Sequence, residues 1–324
     1  MSRHRIIVDT DPGVDDMAAI LLALASPEIE VLGITAVGGN VPLHATTQNA
    51  CKIVALADRT DVPVFAGAPG PLVREQVYGK YARIGAFDNQ LVPATDLQAS
   101  KKHAVDFLIE TARAAAKAGD PITICAIGPL TNLALSLVQA PDIASGICQI
   151  VSMGGAFTAL GHRTPWAEFN IYADPHAADI VYGCGIPIVA MPLDVTFQAL
   201  FTGEHIRQIG ETAGRAGRAL AALLLEYDRS DIGRFGRPGG PLHDATTIAW
   251  LVRPDLFVGR KAAIGVEIVG KTAGHTYVDY NGKTDRLATA IVMERLDEHG
   301  FITLLLERLS AYGGTTADAK VLGG

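Results

Sequence analysis

A chain of 324 residues with 49% hydrophobic content can bury a large core, either as one α/β unit or as two domains. Its net charge of −7, pI near 5.7 and lack of any dense Lys/Arg run argue against nucleic acid as a partner. No run of about 20 uninterrupted apolar residues marks a membrane span, and the basic N-terminus leads into aspartates rather than the apolar core of a signal peptide. Cys51, Cys125, Cys148 and Cys184 form no CxxC pair and lie in apolar surroundings. Buried free thiols in a reducing, cytoplasmic compartment are the expectation.

In chain order, short β-branched runs alternate with amphipathic segments. RIIVD (5–9), VLGITAV (31–37), VPVFAG (62–67), ITICAI (122–127), CQIVSM (148–153) and IPIVAMPL (186–193) read as buried strands. Met17, Ile20, Leu21 and Leu24 share one helical face, as do Val105, Leu108, Ile109 and Ala112. Asp174 and Pro175 are the cap and first residue of a further helix. After a late strand, Asp297 caps a closing helix, and the tail 313–324 is expected to fray. This alternation predicts an α/β fold: a mostly parallel, Rossmann-like open sheet with helices on both faces. No repeat or low-complexity linker divides it, so residues 1–312 are expected to be one catalytic domain. Two irregular stretches, 74–95 and the glycine- and proline-rich 228–244, read as flaps.

Asp9, Asp11, Asp15 and Asp16 fall within eight residues, at the end of the first strand and the start of the first helix. Ligands of open parallel sheets sit at the carboxyl ends of the strands. A helix N-terminus favours each anion by only about 0.3–1 kcal/mol, which cannot offset this density of charge. Turn and cap chemistry accounts for one or two of the aspartates, not four. A bound cation is the natural counter-charge, and oxygen-only donors favour calcium or magnesium. Other loops at the same sheet edge carry polar groups: Asn40, the GPLTN and SMGGAF turns, Glu168, Asn170, His243 and Asp244.

DTDPGVDDMAAI, GGN, GPLTN, GGA, TPWAEFN, ADPHAA and LHDATTIAWL, in order from residue 9 to about 251, resemble the motif set of the inosine–uridine-preferring nucleoside hydrolases. The resemblance implies a small ribonucleoside as partner, a tightly held Ca²⁺, hydrolysis of the N-glycosidic bond in purine and pyrimidine salvage, and a homodimer or homotetramer. By motif position, Asp11, Asp16, Asp244 and the Ile127 carbonyl would hold calcium. Asp15, Asn40, Met153, Glu168 and Asn170 would surround the ribose. Asp11 would serve as general base and His243 as the acid that protonates the departing base. Two departures stand out. Ile84 occupies a flap position where many members have histidine, and Gly161-His162 replaces Gly-Asn near the expected 5′-hydroxyl. Tyr227, Arg234 and Phe235 are either base contacts or packing residues. Two rival readings remain: a non-catalytic, calcium-dependent nucleoside-binding protein, and a haloacid-dehalogenase-like phosphatase suggested by IIVDTD.

Overall fold

The computed structural model describes residues 3–79, 86–227 and 230–314. Its strands are β1 (His4–Thr10), β2 (Ile29–Ala36), β3 (Val64–Ala66), β4 (Ile122–Ala126), β5 (Ile147–Met153), β6 (Ile188–Met191), β7 (Leu200–Phe201), β8 (Gly240–Pro241), β9 (Phe257–Val266), β10 (Thr276–Asp279) and β11 (Ala290–Leu296). Nine of them form one sheet in the order β10-β9-β11-β6-β5-β4-β1-β2-β3, and β7 pairs with β8 as a separate ribbon. Every neighbour pair from β11 to β3 is parallel, whereas β9 runs antiparallel to both β11 and β10. The predicted α/β architecture is therefore present.

The period-2 alternation of the central strand divides the core into two layers. Ile6 and Val8 point to one side, where the helices Val14–Ala25, Leu43–Leu56, Gly214–Glu226, Ala245–Val252 and Glu298–Ser310 pack. Ile7 points to the other, against Ala104–Ala118, Thr131–Gln139 and Pro175–Tyr182. The helix Val14–Ala25 buries more than the expected single stripe: Ala18, Ala19, Leu22 and Ala23 are as inaccessible as Met17 and Leu21. It is wedged between the sheet and the helix Ala245–Val252, so no face meets solvent. Asp174 caps the helix it was expected to cap, accepting from Ala177 N at 3.0 Å, and Asp297 does so for the closing helix.

Two readings need correction. Cys51 and Cys125 are buried free thiols, but Cys148 is exposed and Cys184 only partly covered; Cys148 and Gln149 lie near the start of β5, before the strand becomes fully buried at Ile150. The stretch 228–244 is not wholly irregular, since it contains the helix Ile232–Phe235 and β8; residues 228 and 229 lie outside the described residues. β9 and β10 were not anticipated, because β9 carries Arg260 and Lys261 in its exposed half and reads poorly as a buried strand. Of the tail, 315–324 lies outside the described residues, while Gly313 and Gly314 close the 3-10 turn Ala311–Gly314. The stretch 74–95 has no helix or strand over 74–79 and 86–95, and Ile84 lies outside the described residues.

Candidate active site

The chain runs β1–β2–β3 toward one sheet edge, then returns to place β4 on the other side of β1. A crevice opens where the direction reverses, beyond the carboxyl ends of the strands. A cavity of about 390 Å³ occupies it, within the range of small-molecule sites. Asp15, Asn40, Ile127, Met153, Glu168, Asn170, His243 and Asp244, all expected from the sequence, line this cavity together.

The four N-terminal aspartates do not share one task. Asp9 is fully buried beneath the cavity, where its Oδ1 accepts from Thr35 Oγ1 at 2.6 Å and Asn132 Nδ2 at 2.8 Å. Burial pushes its pKa up to about 6 against these two bonds. Asp16 sits in the first helical turn, and its Oδ2 accepts the Gly13 N–H at 2.8 Å, a carboxylate reaching back to the N-cap. Thr10 Oγ1 donates to its other oxygen at 2.6 Å. Burial, and then the neighbouring Asp15 charge, raise Asp16 to about 6. Asp15, Asp16 and Asp244 bring carboxylate oxygens within 4.8 Å of one another, on either side of the chain's long excursion.

Asp11 joins this trio through Asn40. The Asn40 backbone N–H donates to Asp11 Oδ2 at 2.6 Å, while its side-chain amide donates to the Asp11 carbonyl at 3.2 Å and Asp16 Oδ2 at 3.4 Å. Asp11 Oδ1 is buried and has no hydrogen-bond partner among the described residues. Burial foremost, then the charge of Asp16, holds the Asp11 carboxyl well above its usual range. Glycines from two motifs make room for it. A Cβ on Gly39 would stand 2.2 Å from Asp11 Oδ2, and one on Gly128 would stand 2.7 Å from Oδ1. A converging set of buried carboxylates with an orphaned oxygen and no nitrogen or sulfur donor fits a hard divalent cation.

Elsewhere in the cavity wall, Asn170 Nδ2 donates to the carbonyls of Ile127 at 3.0 Å and Met153 at 3.2 Å. The Ile127 carbonyl has a second lone pair, so this bond is compatible with its expected role toward a cation. Glu168 caps the helix Phe169–Ala173, accepting from Asn170 N at 2.9 Å and Ile171 N at 3.1 Å. His162 Nε2 accepts the Phe169 N–H at 3.1 Å, which assigns its lone pair there and makes its 3.4 Å approach to Glu168 Oε1 a contact rather than an ion pair.

The opposite wall is aromatic. His243 Nδ1 pairs with Thr196 Oγ1 at 2.7 Å, and its ring lies edge-on to His162 at 5.6 Å and Phe197 at 5.5 Å. Arg234 sits 5.0 Å over Phe197 and donates to the Gly161 carbonyl at 2.8 Å, while Phe235 packs 5.2 Å from Phe197. Arg234 and Phe235 thus line the cavity, whereas Tyr227 is buried away from it. The sequence reading missed Thr196 and Phe197. Both follow β6, and the rule that loops at strand carboxyl ends build the site would have found them. Asp194 of the same short segment accepts from Phe157 N, Thr158 N and Ala159 N and so fixes the loop leading to His162.

The raised carboxyls imply a specific pH dependence. Asp9 and Asp16 titrate at about 6 in the fold against 3.8 for an ordinary aspartate, so the cation-free native state binds more protons than the unfolded chain between those values. Its stability therefore falls as pH rises through that window, by about 1.4 kcal/mol per unit for each such group. Urea unfolding in chelator from about pH 4 to about pH 7 should show this fall, with calcium reversing it. A chelated protein that gains stability toward pH 6 would contradict the account of the burial cost.

The inosine–uridine-preferring nucleoside hydrolase model matches residues 6–303. An uncharacterised protein of Schizosaccharomyces pombe is 43% identical over 94% of this chain and 98% of its own length. The pyrimidine-specific ribonucleoside hydrolase RihA of Escherichia coli K12 is 42% identical over 95% of this chain and 98% of its own. Among solved structures, a purine-preferring ribonucleoside hydrolase from Gardnerella vaginalis superposes with a TM-score of 0.85 at 33% identity, covering 95% of this chain and 99% of that one. The plant nucleoside hydrolase PpNRh1 gives a TM-score of 0.85 at 32% identity, with the same coverage of both chains.

Proposed function

The chain belongs to the inosine–uridine-preferring nucleoside hydrolases, and from that membership we propose a calcium-organised site that prefers pyrimidine ribonucleosides. The reaction class follows from the family: water is added across the bond joining ribose C1′ to the base, giving ribose and free base. The phosphatase reading is displaced, because the family match spans almost the whole chain while IIVDTD alone carried that alternative. The convergence of Asp15, Asp16 and Asp244, with Asp11 linked to Asp16 through Asn40, is the observation that carries the calcium reading.

Asp11, Asp16, Asp244 and the Ile127 carbonyl are the proposed cation donors, with Asp15 close enough to share the duty or to hold a ribose hydroxyl. Bound calcium would supply a fixed charge that orients the sugar hydroxyls and lowers the pKa of an attacking water. The protein's own groups do the rest. Cleavage passes through an oxocarbenium-like state, so the cavity's carboxylates face a sugar that becomes positive as the bond breaks. Asn40 occupies Asp11 Oδ2 and leaves Oδ1 to take the water's proton. Glu168 and Asn170 are held by backbone contacts in fixed positions, which turns ribose binding into orientation. Thr196 holds His243 by Nδ1, assigning proton delivery to Nε2, while His162, Phe197 and Phe235 offer faces on which a base can stack.

Pyrimidine preference is proposed because RihA, at 42% identity over 95% of the chain, is pyrimidine-specific, whereas the purine-preferring Gardnerella enzyme is 33% identical. Association into a homodimer or homotetramer is part of the same proposal, as is a cytoplasmic setting, which suits four free cysteines. No helix among the described residues is long and apolar enough to cross a membrane.

Ribose release from cytidine and uridine should exceed that from inosine and guanosine in kcat/KM. The reverse order would overturn the base preference while leaving the reaction class intact. Asp11→Ala should retain the fold and lose about 10²–10⁴-fold in kcat. His243→Ala should lose a similar factor on uridine but little on p-nitrophenyl riboside, whose leaving group needs no proton. Equal losses on both substrates would remove the acid role.

A further inference from the structure

Beside the aspartate turn lies a buried set of contacts that the mechanism above does not use. Asn49 and Lys52 stand one turn apart on the helix Leu43–Leu56 and are 1% and 2% exposed. A lysine this deep must have acceptors, and Nζ donates to the Phe87 carbonyl and to Asn89 Oδ1 at 2.7 Å. Asn49 holds the other end of the same residue: its Oδ1 accepts the Phe87 N–H at 2.8 Å. Its Nδ2 then donates to the Pro12 carbonyl at 2.9 Å, within the aspartate turn.

The Pro12 carbonyl and the Gly13 N–H are opposite ends of one planar, trans peptide group. Asn49 fixes one end, and the other end donates to Asp16 Oδ2 at 2.8 Å. Turning that peptide would withdraw the donor from Asp16, and an accepted bond on its carbonyl strengthens its N–H as a donor. The orientation of the Asn49 amide is itself determined. Turned over, it would set NH₂ against the Phe87 N–H and oxygen against the Pro12 oxygen, opposing like groups at both ends. Lys52 keeps Phe87 where it enforces that choice.

We propose that Asn49 is a positioning residue for the hydrolysis, setting the Asp16 carboxylate through the Pro12–Gly13 peptide, with Lys52 as its buttress. This rests on the reading of Asp16 as a cation donor. Groups that orient the ligands of a metal typically change its affinity by about 10–100-fold when removed. The chain is therefore stripped with chelator and titrated with Ca²⁺ by calorimetry, alongside its thermal midpoint without cation and its kcat and KM at saturating Ca²⁺.

Asn49→Leu removes both amide bonds at similar volume, and Asn49→Asp keeps the acceptor for Phe87 while losing the donor to Pro12. Both should weaken Ca²⁺ binding about 10–100-fold. Lys52→Met should weaken it less, in the same direction. Saturating Ca²⁺ should restore most of kcat. A purely structural role would lower the thermal midpoint of the stripped variants and leave Ca²⁺ affinity at the parent value, and that result overturns the proposal. Should Asn49→Leu fail to fold, Asn49→Asp and Lys52→Met decide by the same criterion. A parent chain that binds no Ca²⁺ overturns the cation reading itself, which is a separate outcome.

Discussion

Carboxylates withdrawn from water into one crevice repel each other and lose hydration, and the rest of this molecule is arranged around that cost. Asp11 and Asp16 are both raised by burial and by neighbouring negative charge. Backbone donors and hydroxyls offset part of the penalty: Asn40 N, Gly13 N and Thr10 Oγ1 each occupy one oxygen. The orphaned Asp11 oxygen shows that hydrogen bonds do not complete the compensation. Retaining so unfavourable an arrangement makes sense for a protein that must meet positive charge twice, on a cation and on a sugar in its transition state.

The sheet brings the contributors together. β1 delivers Asp11 and the turn into the first helix, β2 delivers Asn40, β4 delivers Ile127, and β5 delivers Met153. Each lies at a carboxyl end, so parallel pairing in register converts residues far apart in the chain into neighbours. Asp244 arrives from the start of a helix packed on the first one, which ties the placement of the last carboxylate to the apolar core. The aromatic wall is assembled separately, from the segment after β6 and the loop before Glu168, with Arg234 bridging the two. Charge on one side and stacking surface on the other match the two halves of a nucleoside.

How much was legible depended on how local the signal was. The central strands and the helices at 14–25, 104–118, 175–182 and 298–310 are announced by dense apolar runs and capping aspartates. The aspartate cluster is legible for the same reason: its chemistry lies within one turn of sequence. Thr196 and Phe197 were legible only through their place after a strand, since neither residue type announces a role until the fold sets it against His243. Asn49 and Lys52 were hidden similarly, since helical polar residues normally face water and only tertiary packing turns these two inward. β9 failed for lack of a clean alternation, and Cys148 because an apolar neighbourhood in sequence does not say where along a strand full burial begins. The division of labour among the aspartates was beyond the sequence as well: Asp9 reads like its neighbours yet serves Thr35 and Asn132.

That these carboxylates hold the cation on which hydrolysis depends is put to the test by stripping the chain with chelator and following Ca²⁺ binding and uridine hydrolysis in the same titration. One site per chain is expected, with activity returning in proportion to its occupancy. Full activity in the stripped protein, or calcium binding with no effect on turnover, would contradict it.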